Sequence, residues 1–79
     1  MNSIEIIKDI IKEVLNESEM EIDMLADFSM LGLNSFDFIN VVVEIEDKFG
    51  IEFDDEYLDY NRYKTFEEFC TYVENLQID

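Results

Sequence analysis

Apolar residues return along this chain at intervals that match a helix. Ile4, Ile7, Ile11 and Val14 recur with a helical period, and Ile6 and Ile10 widen the stripe. Asn2 or Ser3 can cap the start, and Glu5 suits the positive end of the helix dipole. A helix is therefore expected over about residues 3–16. From 17 to 34 no period holds. Glu17, Ser18, Glu19, Glu21, Asp23 and Asp27 keep this stretch wet, while Met20, Ile22, Met24, Leu25, Phe28 and Leu31 are available to pin it onto a core. Connections this long are often functional or partly disordered. Its apolar content favours a packed loop, with room for a short helical turn, and Gly32 permits the bend before the next element.

Ser35 to Phe49 fits two periods. A helix puts Phe38, Val41, Val42, Ile45 and Phe49 on one face. A strand fits part of it, since Ile39, Val41, Val43 and Ile45 alternate and valine favours strands. Length decides for the helix, because the pattern continues through Glu44, Glu46, Asp47 and Lys48 to Phe49, beyond a usual strand. Gly50 is a good terminator, and Ile51 and Phe53 can re-enter the core. Asp54, Asp55 and Glu56 suit the start of a short helix, with Tyr57, Leu58 and Tyr60 inside or after it. Thr65-Phe66-Glu67-Glu68 matches a capping box, in which Thr65 and Glu68 satisfy each other's backbone N–H groups. Phe66, Phe69, Cys70, Val73 and Leu76 then form the core face of a last helix. The expected fold is all-α: a small four-helix bundle, three main helices and one short, forming a single domain over 1–79.

Composition sharpens this picture. Twenty-one acidic residues against five basic ones give a formal net charge of −16 over 79 residues. Such a surface repels nucleic acid and anionic lipid and attracts basic protein partners. Acidity can also signal disorder, but 48% of the residues are hydrophobic and seven Phe and four Tyr supply bulky core groups. A folded, salt-sensitive domain with an acidic exterior follows, expected to act as a monomer. Its stability should be modest, since a chain this short buries only about 60% of its unfolded surface. Cys70, the single cysteine, cannot form an internal disulfide, which fits a reducing cytoplasm. No basic N-terminal region precedes an apolar segment, so a signal peptide is not expected. No uninterrupted apolar run is long enough to span a membrane.

With no histidine, a Ser-His or Cys-His pair is impossible. Carboxylate pairs are too common here to mean anything, and an enzyme is not expected. A calcium loop beginning at Asp27 would place Gly32 correctly. It would also need oxygen ligands at Leu31 and Phe38, so the pattern fails and no dedicated metal site is expected. Cys70 reads as a small core residue, and Tyr57, Tyr60 and Tyr63 as packing groups.

The helix over 35–49 keeps a second apolar strip. Phe36, Ile39 and Val43 lie nearly opposite the core face, flanked by Asn40, Glu46 and Asp47. An apolar strip rimmed by acids suits a partner with an apolar groove and a basic rim. Alternatively, the 17–34 loop folds over these residues. At the start of the helix, Asn34 caps with Ser35 as first helical residue, or Ser35 is itself the cap. The plain reading of such a serine is a cap. The sharper reading is that its hydroxyl emerges beside the second strip, where helix N–H groups and the dipole favour an attached phosphate.

The run LGLNSFDFINVVVEIEDKFGIEF resembles the acyl carrier protein family, which includes the related peptidyl carrier domains. The likeness covers the Leu31-Gly32 turn, the central Asn34-Ser35-Phe36, the amphipathic helix ending in Glu46-Asp47-Lys48-Phe49, and the return through Ile51 and Phe53. In order of elements it extends over nearly the whole chain. The resemblance implies that Ser35 receives a 4′-phosphopantetheine arm from coenzyme A, on a separate magnesium-dependent phosphopantetheinyl transferase. The arm's thiol would hold acyl or aminoacyl groups as thioesters for delivery to loading and processing enzymes with basic docking surfaces. It further implies that Asn34, Phe36, Ile39, Asn40, Val43, Glu46 and Asp47 meet those partners. Whether the core side of the helix parts to shelter a cargo chain stays open. Three residues depart from the family's pattern: Asn34 where Asp is common, Phe36 where Leu is common, and Asn40 where fatty-acid carriers commonly have an acid. They point toward a dedicated polyketide or nonribosomal peptide pathway rather than fatty acid synthesis. The competing reading is an acidic helical adaptor that binds proteins through Phe36, Ile39 and Val43 without a prosthetic group.

Overall fold

The computed structural model describes residues 3–77, and their regular structure is entirely helical. Three α-helices form: α1 (Ser3–Leu15), α2 (Ser35–Phe49) and α3 (Phe66–Leu76). Ser3 is already helical, and a cap at Asn2 lies outside the described residues. The strand alternative for Ser35–Phe49 is overturned. Both ends of α2 show why it forms there. The Asn34 side chain accepts the Asp37 N–H at 2.8 Å, so Asn34 is the cap and Ser35 opens the helix. At the other end Gly50 takes a left-handed conformation, φ 67°, and the N–H groups of Gly50 and Ile51 both donate to the Glu46 carbonyl.

The start of α3 corrects the expected capping box. Thr65 Oγ1 accepts the Glu68 N–H at 3.3 Å, but the Glu68 carboxylate takes the N–H of Lys64 instead of Thr65. The first-turn N–H groups, orphaned by helix geometry, turn to the long loop. Phe66 N–H donates to the Ala26 carbonyl at 2.7 Å, and Glu67 N–H to that of Met24 at 2.9 Å.

That docking decides which loop residues are pinned. Ile22, Ala26, Phe28, Leu31 and Leu33 are buried, and Met20 and Met24 are half-buried. Leu25 was expected among the pins, but it stands 73% exposed. Asp23 accepts the Leu25 N–H through its side chain and the Ala26 N–H through its carbonyl. The resulting turn sends the Met24 and Ala26 carbonyls to α3 and leaves Leu25 facing out. Turns, and no helix, occupy the loop.

The short fourth helix is also corrected. Two single 3₁₀ turns, Asp55–Tyr57 and Tyr60–Arg62, stand in its place. Asp59 separates them in an extended conformation, with its side chain accepting the Asn61 N–H at 2.9 Å. Local bonding of this kind competes with helix propagation.

Aromatic rings dominate the core. Phe28 from the loop meets Phe38 of α2 at 5.4 Å and Phe69 of α3 at 5.2 Å, both edge to face, a geometry that contributes about 0.5–1.5 kcal/mol per pair beyond burial. Tyr63 is buried too, and its hydroxyl donates to the Tyr57 carbonyl at 2.9 Å. Phe53 re-enters against Phe69, with Ile51 half-buried behind it. From α1, Ile7, Ile10 and Ile11 close the remaining side against α2 and α3. Among the described residues no helix is long and apolar enough to cross a membrane.

Candidate functional site

The two faces of α2 serve different ends. Phe38, Val41, Val42 and Ile45 are buried. Phe36, Ile39 and Val43 are exposed, at 75%, 40% and 55%. The loop therefore does not fold over the second strip, and these three form a continuous ridge along the helix. Asn40 and Asp47 are exposed on the same side. Glu46 is not free in the same way. It is half-buried, and its carboxylate accepts the N–H of Phe53 at 2.8 Å. Of the residues expected to meet partners, it is the one the structure also employs to hold the chain's return into the core.

Ser35 lies at the head of this ridge, exposed. Among the described residues no hydrogen bond engages its hydroxyl. The first-turn N–H groups of Ser35 and Phe36 precede any intrahelical acceptor, while that of Asp37 is taken by Asn34. A phosphate ester on Ser35 would thus meet open backbone donors and the positive end of the dipole, and no buried group would have to move. The residues present fit a serine-linked phosphodiester.

A cleft of about 280 Å³ opens beside Ser35, lined by Ser35, Phe38, Ile39, Leu58, Asp59, Tyr60 and Asn61. The last four belong to the stretch between and within the 3₁₀ turns. Sequence reasoning missed them, because this stretch has no period to follow. The one available signal was the Asp59/Asn61 pair, whose local bonding marks a turn. A second groove of about 310 Å³ lies between α1 and α2, where Val14 and Val43 meet Glu13, Asn40 and Glu44.

The turn that leads into the site is tied internally. Asp27 Oδ1 accepts the Ser29 hydroxyl at 2.6 Å and the Met30 N–H at 2.9 Å. Those bonds, the hydroxyl first, hold its carboxyl below the usual carboxylate value. Met30, whose N–H this turn holds, is 75% exposed. In α3, burial and then the charge of Glu74 push the Cys70 thiol up to about 12. That keeps it protonated, as suits a core group rather than a nucleophile.

A family model described as the phosphopantetheine attachment site matches residues 5–73, from the first turn of α1 to the last buried residue of α3. No solved structure matches the chain. With the match reaching into all three helices, the chain belongs to the phosphopantetheine-attachment family of carrier domains, whose members bear a covalent 4′-phosphopantetheine group.

Proposed function

We propose that this protein is a carrier whose Ser35 is the attachment residue, and that the α2 ridge is where its enzymes dock. The observation that carries the reading is the position of Ser35: an exposed, unengaged hydroxyl on the first residue of a capped helix, inside the matched region. When bound, the arm supplies a thiol that holds acyl or aminoacyl groups as thioesters. The chain's own part is to present and to be recognised. Asn34 fixes the first turn of α2 and so the backbone position from which Ser35 is presented. The Ser35 and Phe36 N–H groups would be open donors for its phosphodiester. On a transferase, the Ser35 hydroxyl would be the nucleophile toward the β-phosphate of coenzyme A, forming the phosphodiester as the nucleotide portion leaves. Phe36, Ile39 and Val43 give a partner apolar contact, while Asp47 and Asn40 meet a basic rim.

Asn34, Phe36 and Asn40 favour a dedicated polyketide or nonribosomal peptide pathway over fatty acid synthesis. Asn34 keeps the cap with one less negative charge next to the phosphate, and Phe36 enlarges the apolar knob beside it.

Incubation with coenzyme A, magnesium and a broad-specificity transferase should add one phosphopantetheine mass. Ser35→Ala should abolish the gain, whereas Ser18→Ala and Ser29→Ala should keep it. No gain with several transferases refutes the reading. Partner binding that survives in Ser35→Ala, in a protein that never gains the mass, would instead identify the adaptor.

A further inference from the structure

For a chain attached at Ser35, the cleft between the start of α2 and the 3₁₀ stretch is a nearby way toward the interior. Its lining turns against an alkyl chain. Asp59 and Asn61 stand in it as polar groups, and Phe38 is its innermost lining side chain, at 1% exposure. Behind that point there is no slack. The Phe38 ring touches those of Phe28, Tyr60, Tyr63 and Phe69, with centroids 5.4 to 6.1 Å apart. Phe28 is held in turn by Phe66 and Phe69. Tyr63 is tethered through its hydroxyl to the Tyr57 carbonyl.

Flexible aliphatic side chains can rotate aside to admit a guest. Interlocked rings cannot do so singly, because interiors are packed as densely as organic crystals. These rings come from four segments: the loop, α2, the 3₁₀ stretch with Tyr63 just after it, and α3. Opening a path would mean parting all of them together.

We infer that cargo on this protein stays outside the helical bundle, and that the protein therefore serves short or polar acyl and aminoacyl groups rather than long alkyl chains that need burial. This rests on Ser35 as the attachment residue. Phe38 is the specificity-determining side chain, since it closes the floor of the cleft that includes Ser35.

The test charges the protein directly from acetyl- and octanoyl-coenzyme A with a broad-specificity transferase. It then compares the two forms by amide correlation spectra, by melting temperature, and by calorimetric titration with β-cyclodextrin, which captures an exposed octanoyl chain. Expected are unchanged amide positions at Val42, Phe69 and Val73, no melting-temperature rise beyond about 2 °C, and cyclodextrin binding by the octanoyl form alone. A hidden chain would shift those core amides, raise the melting temperature by about 4 °C or more, and be shielded from cyclodextrin. Any of those three results overturns the inference while leaving the Ser35 assignment intact. Failure to gain mass at all overturns both.

Discussion

Replacing Glu46 by alanine separates two roles that one surface acid can play. Its carboxylate accepts the Phe53 N–H at 2.8 Å from a half-buried position, and Phe53 packs against Phe69 and Tyr72. A hydrogen bond to a charged group contributes about 1.5–3 kcal/mol, and its removal leaves the Phe53 donor without this acceptor. Against that, Glu46 sits in the last turn of α2, where a negative charge opposes the helix dipole by about 0.3–1 kcal/mol. Glu46→Ala should therefore lose about 1–2 kcal/mol net. In a domain of this size that lowers the melting temperature by about 4–16 °C. Glu46→Gln keeps an oxygen acceptor and should fall between the variant and the parent. Glu44→Ala, exposed on the same helix, should stay within about 0.5 kcal/mol of the parent. The assay is urea and thermal unfolding followed by far-ultraviolet circular dichroism, with the urea midpoint moving and the slope constant. If Glu46→Ala proves no less stable than Glu44→Ala, the tie to Phe53 does not hold the return segment, and the reasoning fails.

Three further outcomes follow from the same geometry. Asn34→Ala should lose about 1 kcal/mol through its cap, whereas Asn34→Asp should retain stability; equal melting of all three proteins would refute the cap. Alkaline stability should fall as pH rises from about 9 toward 12, because the raised Cys70 value means the unfolded thiol releases its proton first. Burial raises Tyr63 and Tyr72 in the same direction; urea midpoints that stay flat over this range, or a slope unaltered in Cys70→Ala, would contradict the assignment. Magnesium or calcium should raise the melting temperature, since a net charge of −16 repels itself and ions screen it; a melt indifferent to either ion would count against self-repulsion as a destabilising force.

The parts of the fold legible in the sequence are those with a strong local cause. Gly50 marks the end of α2 and its length decides for a helix with two apolar faces, while its start is narrowed to a cap at Asn34 or Ser35. The buried stripe of α3 follows in the same way from Phe66, Phe69, Cys70 and Val73. What escaped were choices between equivalent local partners. Glu68 can reach the N–H of Thr65 or of Lys64, and tertiary position selects the second. Leu25 looks like its apolar neighbours until the Asp23 turn faces it outward. Asp54 onward reads as the start of one short helix, since the sole local sign against it is the Asp59/Asn61 pair, whose side-chain bond breaks the run. At the site, the ridge was visible as periodicity. The neighbouring cleft was not, since it arises only when a distant aperiodic stretch is folded against Ser35.

The carbonyls of Met24 and Ala26 occupy the first amides of α3, and this has a kinetic side. Those two amide protons should exchange with deuterium together with the release of the 17–34 segment, however firmly the later turns of α3 hold. In refolding, α3 gains its opening turn only after the chain has closed a large circuit, so its consolidation should trail that of α2, whose ends are secured by neighbours. An enzyme that lifted the segment would loosen the far helix without touching it.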